Sequence, residues 1–135
     1  MQPLLRTVTV GEAPVDAPAP RGEGTSLTFG RAVVVVTRRE PGVLVRLSGE
    51  VDISNVGMLE QSIQEWLHTN PGDLTLDCAG LGFIDSTGLS LTVRLHNELA
   101  ERGHRLVLTG LAPAVRRPFE VTNLTDVLEV REATP

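Results

Sequence analysis

Two apolar rhythms alternate along this chain, and that alternation limits the folds open to it. Val56, Leu59, Ile63, Trp66 and Leu67 recur at spacings of three and four, with Glu60, Gln61, Gln64 and Glu65 filling the gaps. This is the pattern of an amphipathic helix, capped by Ser54 or Asn55 and closed by Asn70-Pro71-Gly72. A second helical pattern runs over residues 89–102. Leu89, Val93, His96 and Ala100 lie on one line of it and Leu91, Leu95 and Leu99 on another. Short apolar runs at 31–37, 43–48, 74–78, 104–109 and 127–130 read as strands. Pro113 suits the first turn of a third, shorter helix, which Pro118 should curtail or kink. The order β-β-α-β-α-β-α-β predicts an α/β domain with a mixed, mostly parallel sheet. The first two strands form an antiparallel hairpin turned at Glu40-Pro41-Gly42.

Residues 1–26 break from this rhythm. Gly11-Glu12-Ala13-Pro14 and Ala17-Pro18-Ala19-Pro20-Arg21-Gly22 carry no periodicity. Such a stretch buries too little apolar surface to offset its ordering entropy. It is therefore expected to be a disordered tail, in which only Leu4, Leu5, Val8 and Val10 could make a short strand. Residues 27–135 form the single folded domain.

Composition excludes several functions. The net charge is −5, and no basic run exceeds a pair such as Arg38-Arg39 or Arg116-Arg117, which argues against nucleic acid or an anionic membrane as partner. All twelve basic residues are arginine, so lysine catalysis and a P-loop lysine are ruled out. Aromatic residues are few, which removes a base-stacking platform. The one cysteine, Cys78, lies in a strand pattern, where a free thiol packs as a small hydrophobe. A lone thiol fits a reducing compartment, and neither a signal peptide nor a membrane-length apolar run is visible, so a cytoplasmic setting is expected. Ser86 lacks the Gly-x-Ser-x-Gly elbow of a hydrolase, since Ile84 stands where the first glycine belongs. His68, His96 and His104 supply no convincing base. Glu50, Asp52, Asp77 and Asp85 lie near strand ends or turns, too sparsely for a hard-cation site. No catalytic residue, metal site or cofactor is expected.

What remains is Phe83-Ile84-Asp85-Ser86-Thr87-Gly88-Leu89, at the junction of a strand and a helix. Asp, Ser and Thr cap helix N-termini by accepting from free backbone N–H groups. The same N–H groups and the positive end of the helix dipole favour a phosphate. The motif therefore reads either as a cap or as a phosphorylatable hydroxyl that switches binding without refolding the domain.

Two segments resemble the STAS domain family, and within it the bacterial anti-sigma-factor antagonists. One is Gly49-Glu50-Val51-Asp52-Ile53. The other runs from Leu76 through Asp77-Cys78-Ala79-Gly80-Leu81-Gly82-Phe83-Ile84-Asp85-Ser86-Thr87-Gly88 to Leu89. The likeness spans about residues 28–130. It implies helices packed on one side of the sheet and no enzymatic activity. It implies Ser86 as the phosphate acceptor, with Thr87 as an alternative. The implied partner surface comprises Glu50, Asp52, Asp85, Ser86, Thr87, Gly88 and Leu89. The implied partners are an anti-sigma factor serine kinase of the histidine-kinase-like ATPase fold and a metal-dependent serine phosphatase. Members often carry a further helix after the last strand, whereas this chain stops at Pro135, so the surface there is expected to differ. A STAS scaffold or transport-complex subunit in which Ser86 is only a cap, and a nucleotide-sensing STAS domain, are the competing readings.

Overall fold

In the computed structural model, which describes residues 8–9, 25–38 and 42–132, the strands lie in the sheet in the order in which they occur in the chain. They are β1 (Val8–Thr9), β2 (Thr25–Phe29), β3 (Ala32–Arg38), β4 (Gly42–Val51), β5 (Asp73–Ile84), β6 (Leu106–Thr109) and β7 (Glu129–Arg131). Helices α1 (Val56–Thr69), α2 (Ser86–Glu101) and α3 (Pro113–Val121) join β4 to β5, β5 to β6 and β6 to β7. These four strands are mutually parallel, while β3 is antiparallel to both β2 and β4. Each helical crossover advances one position in the same direction. Right-handed connections then put all three helices on one face. The order never reverses, so the sheet lacks the switch-point crevice where doubly wound folds bind ligands.

The face under the helices is built by alternation. Val36, Val45, Leu76 and Leu108 stand side by side across four strands, and all are buried. Leu59, Ile63, Trp66 and Leu67 of α1, Leu91, Leu95 and Leu99 of α2, and Val115 and Phe119 of α3 join them in one core. Burying each such side chain contributes roughly 1.5–3 kcal/mol. The open face carries polar pairs over its β4–β7 half. Arg46 Nε lies 3.5 Å from Asp77, and Arg105 reaches both Asp73 and Glu129, at 3.8 and 3.5 Å. Exposed pairs like these add about 0–1 kcal/mol each, and their main effect is to keep this face wet.

Several expectations need correction. The folded domain begins earlier than residue 27, because β2 starts at Thr25 and turns into β3 through Gly30 and Arg31. Val8 and Thr9 pair in parallel with Leu27 and Thr28. Leu4, Leu5, Val10 and the Pro/Ala-rich stretch lie outside the described residues, as do Glu40 and Pro41 of the expected turn. Asp77 sits within β5 rather than at its end. Ala100 is exposed, so the buried stripe of α2 centres on Leu91, Leu95 and Leu99. Helix α2 ends at Glu101, and Gly103, two residues on, has a φ of +77° that permits the closing turn. There the His104 amide donates to the Leu99 carbonyl (2.8 Å) and the Gly103 amide to that of Ala100 (3.1 Å). The last strand is shorter and later than expected, because a 3-10 turn at Leu124–Asp126 precedes it.

Strand β5 departs most from the expected 74–78, and its extension builds the site. Arg46 pairs with Asp77 but Ser48 with Gly80, and Gly49 pairs with Leu81 but Glu50 with Phe83. Strand β5 therefore holds two extra residues against β4, as two bulges. Buried positions run 74, 76, 78 and then 81 and 84. Bulges re-aim side chains. Here they turn Phe83 outward and bring Ile84 into the core, directly before the helix.

Candidate functional site

The site sits where β4 and β5 end side by side, with Val51 opposite Ile84. The Asp85 amide donates to the Val51 carbonyl at 3.2 Å, so the two strand ends leave the sheet together. Asp85 takes an extended backbone (φ −103°, ψ −173°) and caps α2. Its Oδ1 accepts from the amides of Thr87 (2.9 Å) and Gly88 (3.2 Å) and from the Thr87 hydroxyl. Its Oδ2 accepts from the Ile53 amide at 3.2 Å. The Thr87 hydroxyl, then the backbone donors of Gly88, Thr87 and Ile53, hold the Asp85 carboxyl below its usual range, against a smaller opposing effect of burial than that of the hydroxyl.

Ser86 opens α2 and is exposed, and among the described residues no hydrogen bond engages its hydroxyl. Thr87 is half-buried, with its hydroxyl tied to Asp85. Gly88 is buried for lack of room: a Cβ there would lie 2.4 Å from Cγ1 of Ile84 and 3.2 Å from Cγ1 of Val51. Leu89 belongs to the core, 9% exposed, and supports the helix from beneath. Of the residues named from sequence, Asp85, Ser86 and Thr87 thus meet at the helix opening, and Gly88 and Leu89 anchor it.

Glu50 and Asp52 flank this opening on the β4 side. Glu50 is paired with Arg31 at 2.9 Å. That pairing needs β3 close by: a Cβ on Gly49 (φ +89°) would lie 2.0 Å from the Arg31 carbonyl oxygen. Asp52 Oδ1 accepts from the amide and hydroxyl of Ser54, and its carbonyl accepts from the amides of Asn55 and Val56.

Sequence reasoning read Asn55 only as a possible cap and missed its role. It stands at the N-cap position of α1 but caps nothing with its side chain. Instead its Nδ2 donates to the carbonyls of Phe29 (3.0 Å) and Glu50 (2.9 Å), and its Oδ1 accepts from the Asp52 amide (3.0 Å). Only 1% exposed, it ties the β2 end, the β4 end and the 52–55 loop together. No local pattern signals this, because its partners lie up to 26 residues away. Two exposed apolar residues also escaped notice. Ile53 is 76% exposed and Phe83 48% exposed, and each lies next to the Asp85 cap, one through a hydrogen bond and one through the chain.

A shallow groove of about 540 Å³, lined by Gln64, Glu65, His68, Thr69 and Arg102, lies at the other end of α1 and α2. It shares no residue with the Ser86 motif. Cys78 is buried, and burial first, then Asp77, pushes its thiol up to about 12. Among the described residues no three or more His, Cys, Asp or Glu side chains gather as a metal site would require. None of the described helices is long and apolar enough to cross a membrane.

The site thus belongs to a one-sided α/β domain in which β5 runs into a capped helix with a free serine at its first position. The comparisons place that domain in a family. The family model described as "Mlab, STAS domain" matches residues 34–130. The anti-sigma-B factor antagonist of Staphylococcus epidermidis is 30% identical over 90 residues, covering 67% of this chain and 83% of the relative. An anti-sigma factor antagonist from Mycobacterium paratuberculosis superposes with a TM-score of 0.67 at 25% identity, covering 74% of this chain and 85% of that one. The Bacillus cell fate determinant SpoIIAA in its phosphorylated form shares the fold, with a TM-score of 0.62 at 23% identity over 75% of this chain and 91% of that one. The chain belongs to the STAS domain family.

Proposed function

We propose that this protein is a non-enzymatic, cytoplasmic anti-sigma factor antagonist switched at Ser86. In this reading the unphosphorylated chain binds an anti-sigma factor serine kinase of the histidine-kinase-like ATPase fold and so frees the sigma factor. Phosphorylation at Ser86 ends that binding, and a metal-dependent serine phosphatase restores it. The relatives named as anti-sigma factor antagonists support the class. The observation that carries the site is the contrast between two adjacent hydroxyls: that of Ser86 is exposed and unengaged, whereas that of Thr87 is committed to Asp85.

The geometry divides the chemistry between the two proteins. The Ser86 oxygen forms the new bond to the γ-phosphorus of ATP, the bond to the bridging oxygen breaks, and ADP leaves. The serine proton needs an acceptor. Asp85 is a poor one, because four donors already engage its carboxylate and hold its pKa down. The kinase therefore supplies the base.

The same commitment explains the switch. The Thr87 and Gly88 amides at the helix opening already hold Asp85, so a phosphate on Ser86 does not find them free. It adds about −1.5 to −2 charges beside Asp85, with Asp52 nearby. Each pair of like charges 4 Å apart costs about 1 kcal/mol in bulk water and about 4 kcal/mol at the effective dielectric of a protein surface. A partner packed over this point meets that repulsion, while the free domain leaves the phosphate in solvent. Phosphopeptide mapping after reaction with the kinase and ATP tests the site. Phosphate on Ser86 is the expected result, and phosphate elsewhere would refute the assignment. A scaffold role would instead leave partner binding and regulation unchanged in Ser86→Ala.

A further inference from the structure

We propose that Ile53 and Phe83 are the apolar anchors by which the kinase partner grips this domain, and that they set its specificity. The proposal rests on the antagonist reading and deepens it. Soluble proteins commonly expose single apolar residues, so exposure alone decides nothing. The way these two are held decides more.

Ile53 is 76% exposed, yet its loop is bonded on every side. Its own amide is fixed to Asp85. The residue before it is fixed through the Asn55 side chain, the residue after it through the Asp52 carboxylate, and Asn55 binds the whole loop to the ends of β2 and β4. None of these bonds buries the Ile53 side chain. The loop holds an apolar group rigidly in water beside the phosphate acceptor. Phe83 is presented by a different device. The second bulge of β5 sets it opposite Glu50 and outward, 48% exposed, two residues before Asp85. Without that extra residue the alternation would change which of Phe83 and Ile84 faces the core.

Rigid apolar groups make good anchors, because little freedom is lost when they dock. The surroundings define what they dock into. Asp52 and Asp85 lie beside Ile53, and Glu50 lies opposite Phe83 with Arg31 as its counter-ion. With these carboxylates already in place and Ser86 next to Asp85, the fitting surface is an apolar pocket on the kinase that tolerates no further negative charge. A phosphate on Ser86 would add its charge next to Asp85, the carboxylate that holds the Ile53 amide, and oppose that fit. This places recognition and switching on one small surface.

The test uses the full chain in its native host, with a photo-crosslinking benzoylphenylalanine placed singly at Ile53, Phe83, Ser90 or Val121. Ser90 lies one turn along α2 from Ser86, and Val121 ends α3. The expected result is capture of a histidine-kinase-like ATPase through positions 53 and 83, lost when Ser86→Asp is added, and no capture through 121. With that kinase purified, Ile53→Ser and Phe83→Ser should each raise KM for Ser86 phosphorylation about tenfold, with kcat unchanged and both variants still folded at the assay temperature. Capture through Ser90 but not through 53 or 83, or an unchanged KM in both variants, overturns the anchors and leaves the switch standing. Capture of no such kinase through any position overturns both.

Discussion

The amide of Ile53 donates to Oδ2 of Asp85 at 3.2 Å, and that bond joins the loop after β4 to the cap of α2. Its partners are 32 residues apart in sequence and meet because β4 and β5 end together. Through it Ser86, the capping carboxylate and the exposed Ile53 share one rigid frame.

Asp85 should matter to stability as well as to switching. Its folded pKa is held below the ordinary 3.8. A depressed carboxylate stabilises the fold fully above its unfolded value, and that stabilisation is lost as pH falls through the folded value. Asp85→Ala should therefore cost about 0.5–2 kcal/mol at neutral pH, the range for losing an N-cap. The gap to wild type should narrow as pH falls below the ordinary 3.8 and through the lower folded value. Urea unfolding of both proteins across this range checks it, and a gap independent of pH would contradict it.

A phosphate on Ser86 should titrate at or above the usual second pKa of about 6, because Asp85 holds the helix donors and adds a like charge. A phosphorus-31 NMR titration of the phosphorylated chain reads this directly. A value clearly below 6 would mean that the phosphate has displaced Asp85 from the helix N-terminus.

Gly88→Ala should loosen the helix opening. The added methyl would lie 2.4 Å from Ile84 and 3.2 Å from Val51, both buried, so the core must shift. Overpacking of this kind costs about 1–3 kcal/mol. Thermal unfolding measures it, and an unchanged midpoint would show that the opening yields more easily than the packing indicates.

Cys78 should resist alkylation in the folded protein. It is buried, and its thiol is pushed up to about 12. At about pH 8 iodoacetamide should label it only after denaturation, since the thiolate is the reactive form. Rapid labelling of the native chain would contradict this.

Much of the fold was legible in the sequence, because helices α1 and α2 carry full apolar stripes, β3 is a run of β-branched residues and β4 alternates. The motif at Ser86 was legible as well, since an Asp cap before a helical run is a local signal. Three features were not. Strand β2 has only Leu27 and Phe29 to mark it, at the edge of a stretch without periodicity. The second half of β5 loses its alternation at two bulges, and only the register against β4 shows why. Asn55 sits where a cap belongs, but its bonds run to Phe29 and Glu50, which no window around it reveals.

The most direct measurement is the calorimetric affinity of the kinase for the unmodified chain and for the same chain phosphorylated at Ser86. Phosphorylation should weaken binding at least about tenfold, a loss of about 1.4 kcal/mol, while leaving the melting temperature of the free domain nearly unchanged. Equal affinity for the two forms would contradict the account and leave Ser86 as part of a helix opening on a constitutive scaffold.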